Sequence, residues 1–199
     1  ALFLDTKPSA NLEDVPDAIR YEGSNNETGL EVGVLGADTA TTLEAFGLGL
    51  SALEHVSGVT TINVSGLTPT LDEVSAFDAI IVYSNYSYWD NQALGDLISE
   101  YAATGGGVIT MPGENLFFAE SQDWSLTGDW RAQELALFKM QTEYSVTQGM
   151  LGEISLPNHP LVEGVNSFSG NVRILHQEPN AGGTIAATWE DGSPLVTFR

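Results

Sequence analysis

Residues 94–115, LGDLISEYAATGGGVITMPGEN, hold an amphipathic helix, a glycine hinge, a buried strand and a sharp turn into polar residues, in that order. Leu94, Leu97, Ile98 and Tyr101 recur at spacings of three and four, which places them on one helical face. Gly105, Gly106 and Gly107 supply the backbone freedom with which helices commonly end. Residues 108–111, VITM, are then a short apolar run of the kind that fills a buried parallel strand. The turn at the carboxyl end of such a strand is where open α/β sheets bind ligands and where hydrolases of this shape carry a nucleophile. Here it reads Met111, Pro112, Gly113, Glu114, Asn115, and the chain contains no cysteine.

Working towards the N-terminus, the same order repeats. Residues 30–35, LEVGVL, closed by Gly36, predict a strand. Residues 39–56 carry Leu43, Phe46, Leu50, Leu53 and Val56 on one face and predict the first crossover helix. Residues 60–64 predict a second strand, LDEVSAF a short helix or turn, and residues 79–83, AIIVY, a third strand. Asp90 is placed to cap the helix that follows it. Such alternation implies right-handed crossovers and a mainly parallel sheet covered on both faces. Beyond Gly113 the pattern loosens into an aromatic-rich loop, with a helix predicted over residues 131–140. Strands are predicted at 172–175, 184–189 and 194–198, the last two joined as a C-terminal β-hairpin by a turn at 190–193. Residues 1–29 show no sustained period and read as an extension or linker, with 30–199 as one α/β domain. Residues 1–4, ALFL, offer a second reading as a strand that pairs with this sheet or with a neighbouring copy.

Charge narrows the partners. Six basic residues against 27 acidic ones give a net charge of −21, a potential that disfavours nucleic acid and anionic membranes. Such a surface suits high salt, or a calcium-containing medium in which calcium or other cations act as counterions. No apolar run approaches the roughly 18 residues a spanning helix needs. The absence of cysteine excludes disulfides, thiolate metal sites and thiol nucleophiles. A chain that opens at Ala1 and is rich in Ser, Thr and Asn fits an extracellular or cell-surface protein, and its end directly after a strand suggests a larger parent.

YSNYSYWDNQALGDLISEYAATGGGVIT, GDW at 128–130, HPLVEGV at 159–165 and WEDGSPLV at 189–196 together resemble the class I glutamine amidotransferase-like superfamily, in its ThuA-like branch. The resemblance spans about residues 30–199 and implies a flavodoxin-like doubly wound sheet with helices on both faces. Catalytic members carry a cysteine, with histidine and glutamate, after the strand matched by residues 108–111. Pro112 and Gly113 stand there instead, so amidotransferase and cysteine-hydrolase chemistry do not carry over.

The candidate site is the crevice at the strand ends. Asp38 and Thr39 follow the first strand, Ser84, Asn85 and Tyr86 the third, and Glu114 and Asn115 the fourth. They offer carboxylate, amide and hydroxyl groups near aromatic rings, suited to a neutral carbohydrate. The competing reading is structural: Asp38 or Thr39 and Asp90 cap helices, and Asn85 holds a turn. His159, in NHPL, is a further ligand candidate that also reads as the organiser of a turn. His176, near Glu178, would pair with a carboxylate. His55 reads as a favourable charge at a helix C-terminus. No serine elbow is present, and Gly105 to Gly107 precede a strand rather than open a helix, which disfavours a phosphate loop. The loop aromatics Tyr86, Tyr88, Trp89, Phe117, Phe118, Trp124 and Trp130 are expected to pack inward. The expectation is a non-catalytic module for structure, assembly or recognition, without a cofactor, with other copies or domains of its parent as partners. The alternative is a carbohydrate-active hydrolase using Glu114 with His159 or His176.

Overall fold

The computed structural model describes residues 18–23, 29–111, 122–141, 143–171 and 173–199. Its first half comprises β1 (Ala18–Glu22), β2 (Leu30–Ala37), α1 (Ala40–Ser51), β3 (Val56–Asn63), α2 (Leu71–Val74), β4 (Ala79–Ser84), α3 (Asn91–Ala103) and β5 (Gly107–Thr110). These strands form one five-stranded sheet in the order β1-β3-β2-β4-β5. The last four are parallel to their neighbours, and β1 runs antiparallel along β3. The fold is therefore α/β around a mixed, mostly parallel sheet. Each face of the sheet holds its own apolar cluster. Leu35, Ile62, Phe77 and Ile80 pack with Leu94, Ile98 and Tyr101 of α3 on one side. Val32, Val34, Val59 and Ile81 pack with Leu43 of α1 on the other.

The hinge that ends α3 is a Schellman motif. Gly105 (φ +91°) donates its N–H to the Ala102 carbonyl at 3.0 Å, and Gly106 donates to the Tyr101 carbonyl at 3.3 Å. Gly106 also leaves room for the Tyr101 ring, which a Cβ there would meet at 2.2 Å. The Tyr101 hydroxyl in turn donates to the Phe77 carbonyl at 3.0 Å, tying α3 to the loop before β4.

After a 3-10 turn (Gln122–Trp124) come α4 (Gly128–Ala132), β6 (Tyr144–Ser145), β7 (Gly149–Ile154), β8 (Ser169–Gly170), β9 (Arg173–Ile174), β10 (Thr184–Trp189) and β11 (Pro194–Phe198). Strands β11-β10-β7-β8 make a second, antiparallel sheet, and β6 pairs with β9. The β10–β11 hairpin closes as predicted, with Gly192 at φ +84° and Trp189 N–H donating to the Ser193 carbonyl at 2.8 Å.

Four boundaries differ from the sequence reading. Helix α1 stops at Ser51, so Leu53 lies in a turn, 53% exposed, and Val56 opens β3. Within the stretch read as an extension, Ala18–Glu22 forms the sheet's edge strand, and the Tyr21 ring packs onto Gly47 of α1. The helix expected over residues 131–140 is instead α4, which starts at Gly128 and is ended by Glu134 in the left-handed region (φ +55°). Strand β7 has no counterpart in the reading, because Gly149 and Gly152 lower its strand signal. Gly152 lies against the Trp189 carbonyl, which a Cβ would meet at 2.2 Å. Residues 1–4, proposed as a pairing strand, lie outside the described residues. Among the described residues no helix is long and apolar enough to cross a membrane.

Candidate functional site

Strands β2 and β4 are neighbours in the sheet, but the helices that follow them, α1 and α3, pack on opposite faces. Their carboxyl ends therefore flank the switch point, where an open sheet leaves a crevice. Asp38, Thr39, Ser84, Asn85 and Tyr86 all lie there, and several of their polar groups are used internally. The Asp38 carboxylate, 5% exposed, accepts from the Thr39 N–H at 2.7 Å and stands 3.5 Å from the Asn85 side-chain amide. The backbone N–H groups of Asn85 and Tyr86 both donate to the Ala37 carbonyl, at 2.9 and 3.0 Å. Thr39 caps α1, its Oγ1 accepting from the Thr42 N–H at 3.2 Å. The Ser84 hydroxyl donates to the Trp124 carbonyl at 2.7 Å.

Asn63, at the end of β3, joins this set by donating to the Asp38 carbonyl at 3.0 Å while its own Oδ1 accepts from the Ser65 hydroxyl at 2.7 Å. Beneath the crevice, the Tyr83 phenol is pushed up to about 12, first by burial and then by the nearby Asp38 charge. Its buried hydroxyl lies close enough to Asp38 to sense that charge.

The remaining candidates are dispersed. Glu114 and Asn115 lie outside the described residues. His159 stacks on Phe198, with ring centroids 4.0 Å apart, and its Nδ1 accepts from the Leu161 N–H at 3.3 Å, so it organises the turn at Pro160. His176 meets Glu143 at 3.4 Å rather than Glu178, and both partners are exposed. Glu178 pairs with Lys139 at 2.7 Å. His55 sits past the end of α1, its carbonyl accepting from the Leu30 N–H. Asp90 caps α3 as predicted, accepting from the Ala93 N–H at 2.9 Å. Of the loop aromatics, Tyr88 and Trp130 join the core, but Tyr86 (47%) and Trp89 (69%) are exposed. Phe117 and Phe118 lie outside the described residues. Among the described residues no three His, Asp or Glu side chains form a group able to hold a metal.

A wide opening lies elsewhere. A cleft of about 540 Å³ separates β5 from β11, and a smaller cavity of about 80 Å³ sits at its end, beside Thr110, Met111, Arg173 and Gln177. Sequence reasoning did not find it, because the cleft is made by two strand edges whose distance apart is set by tertiary packing. The nearest local signal was Arg173, one of only six basic residues. No protein-family model, curated protein or solved structure matches this chain.

Proposed function

We propose that this chain is a non-catalytic recognition or assembly module of an exported or cell-surface protein, flavodoxin-like in architecture and allied to the amidotransferase-like superfamily. The order of the parallel strands supports the architecture: counted from β2, they run second, first, third, fourth, as in flavodoxin-like sheets. The observation that carries the function is the state of the switch-point crevice. Asp38 and Ser84 are committed to backbone partners, and Asn85 reaches back to Asp38, so these groups hold the loops rather than present a reactive constellation. His159 is likewise occupied by its stacking and its turn. With 27 acidic and 6 basic residues, the partners that suit the module are neutral or locally basic surfaces, including other domains of its own parent. A panel of nitrophenyl glycosides tests this reading. Turnover above the uncatalysed rate that disappears in both Glu114→Gln and His159→Ala would assign a carbohydrate hydrolase and sink the proposal.

A further inference from the structure

Strand β5 ends the first sheet, and among the described residues one of its edges is unpaired. Gly107 and Met111 donate their N–H groups to β4, at the Asp78 and Val82 carbonyls. In a parallel pair the alternate residues point the other way, so Val108 and Thr110 direct their backbone groups outward. Strand β11 ends the second sheet in the same manner, pairing among the described residues only with β10.

The cleft lies between these two edges. It is lined by consecutive residues of both strands, 106–110 on one wall and 195–199 on the other. Consecutive lining is the mark of an edge, since a sheet face would present alternate residues. The smaller cavity has Thr110 and Met111 on one side and Pro194 and Leu195 on another, so the end of β5 faces the start of β11 across it and the two strands run in opposite directions. A strand laid between them would be parallel to β5 and antiparallel to β11, which continues the pairing habit of each sheet.

One end of this slot is charged. Arg173, whose side chain is 12% exposed, lines the cavity beside Thr110. Its Nη1 lies 2.9 Å from an Asp191 carboxylate oxygen, while its Nε is buried without a hydrogen-bond partner. Gly149 makes room for it: a Cβ there would meet the Arg173 stem at 3.1 Å and the Trp189 ring at 3.0 Å. Among the described residues no Asp or Glu lines either cavity, although the chain has 27 acidic residues. The Nε of Arg173 is therefore a buried donor left open at this end of the slot beside its pair with Asp191.

We propose that the slot between β5 and β11 takes one extended peptide segment of a partner, entering parallel to β5, with its C-terminal carboxylate at Arg173. Backbone pairing with Val108 and Thr110 supplies the register, Phe138, Leu195 and Phe198 receive apolar side chains, and the arginine sets the direction. Five residues, spanning roughly 16 Å, match the length of the β5 wall. The inference rests on the recognition reading above. Glycoside turnover would overturn that reading without bearing on the peptide measurements, and failed peptide binding would overturn this inference alone.

The test begins with hydrogen exchange on the intact chain, where the Val108 and Thr110 amides should exchange freely and become protected when peptide binds. A pool of random pentapeptides with free carboxylates is then selected on the chain, and the enriched peptide is remade as its C-terminal amide and with alternate N-methylated bonds. Amidation should weaken binding to the wild type by roughly tenfold or more, and N-methylation by a similar factor. In Arg173→Met the acid and the amide should bind alike, while Arg173→Lys retains part of the preference. No enrichment, equal binding of acid and amide to the wild type, or Val108 and Thr110 amides already protected without peptide would each overturn the proposal. The N-methylation arm needs no variant and stands even if Arg173→Met fails to fold.

Discussion

The Asp38 carboxylate and the Asn85 side-chain amide stand 3.5 Å apart across the gap between β2 and β4, with the Thr39 N–H on the same carboxylate oxygen at 2.7 Å. The shorter bond carries more of the stability. Replacing Asp38 by Ala removes the charged acceptor of the Thr39 N–H and of the Asn85 amide, and is expected to cost about 1–3 kcal/mol. Asn85→Ala loses only the long contact, because the Asn85 backbone bond to Ala37 survives, and should cost less than about 1 kcal/mol. Urea unfolding of both variants checks this. Equal losses would mean that the crevice is not held by Asp38.

Glycine substitutions around α3 should separate into two classes. Gly105 adopts φ +91° with open space around it, so Gly105→Ala meets only backbone strain, expected at about 1–2 kcal/mol. At Gly95 a Cβ would lie 2.0 Å from the Thr127 carbonyl oxygen. That neighbour is backbone and cannot rotate away, so Gly95→Ala must push α3 from the segment that leads into α4, at the upper end of the roughly 1–3 kcal/mol typical of overpacking. Thermal unfolding of the two variants ranks them, and a milder effect at Gly95 than at Gly105 would contradict the packing described.

How much of this could be read beforehand depended on whether the signal was local. The α3–glycine–β5 unit was legible, because its periodicity, its cap at Asp90 and its Schellman glycines are all consecutive in sequence. The hairpin at Gly192 was legible for the same reason. The end of α4 was not: Glu134 occupies a left-handed position that a sequence normally signals with glycine. Strand β1 escaped because AIRYE gains its meaning from Gly47 and Thr61, which are distant in sequence. At the site, the residues lining the switch point were found by topology, yet their commitment to internal bonds was a matter of geometry. The cleft between β5 and β11 has no sequence signature, since unpaired edges are defined by what does not pair with them.

Alkaline titration provides a third prediction. Tyr83 and Tyr101 are each raised from the ordinary phenol value of 10.0 to about 12, with burial the largest cause in both. A group whose folded value is raised loses its proton first in the unfolded chain. The stability linked to it is thus complete below pH 10.0 and declines as pH rises towards about 12. Absorbance at the phenolate band should show these two tyrosines titrating late, and Tyr83→Phe and Tyr101→Phe should each flatten the alkaline loss of stability. If all tyrosines ionise together near their ordinary value while the fold persists, the burial assigned here is wrong.

The ion pair over Gly58 gives the acid counterpart. Arg20 of β1 reaches across β3 to Glu31 of β2, with its Nη2 3.0 Å from a carboxylate oxygen, so three strands are clasped on one face. Gly58 permits this, because a Cβ there would meet Arg20 Nη2 at 2.5 Å and a Glu31 oxygen at 2.7 Å. The Arg20 guanidinium, helped by the Ser57 hydroxyl and opposed by partial burial, holds Glu31 below its ordinary value of 4.5. A depressed folded value contributes stability that is complete above 4.5 and is lost as pH falls through the folded value. Arg20 is 41% exposed, so Arg20→Met should cost at most about 1 kcal/mol near neutral pH and should reduce the acid slope. Gly58→Ala leaves both charges in place but wedges them apart. It should reproduce the reduced acid slope in denaturant midpoints measured on either side of pH 4.5, whereas an unchanged slope would show that the pair does not depend on the gap at Gly58.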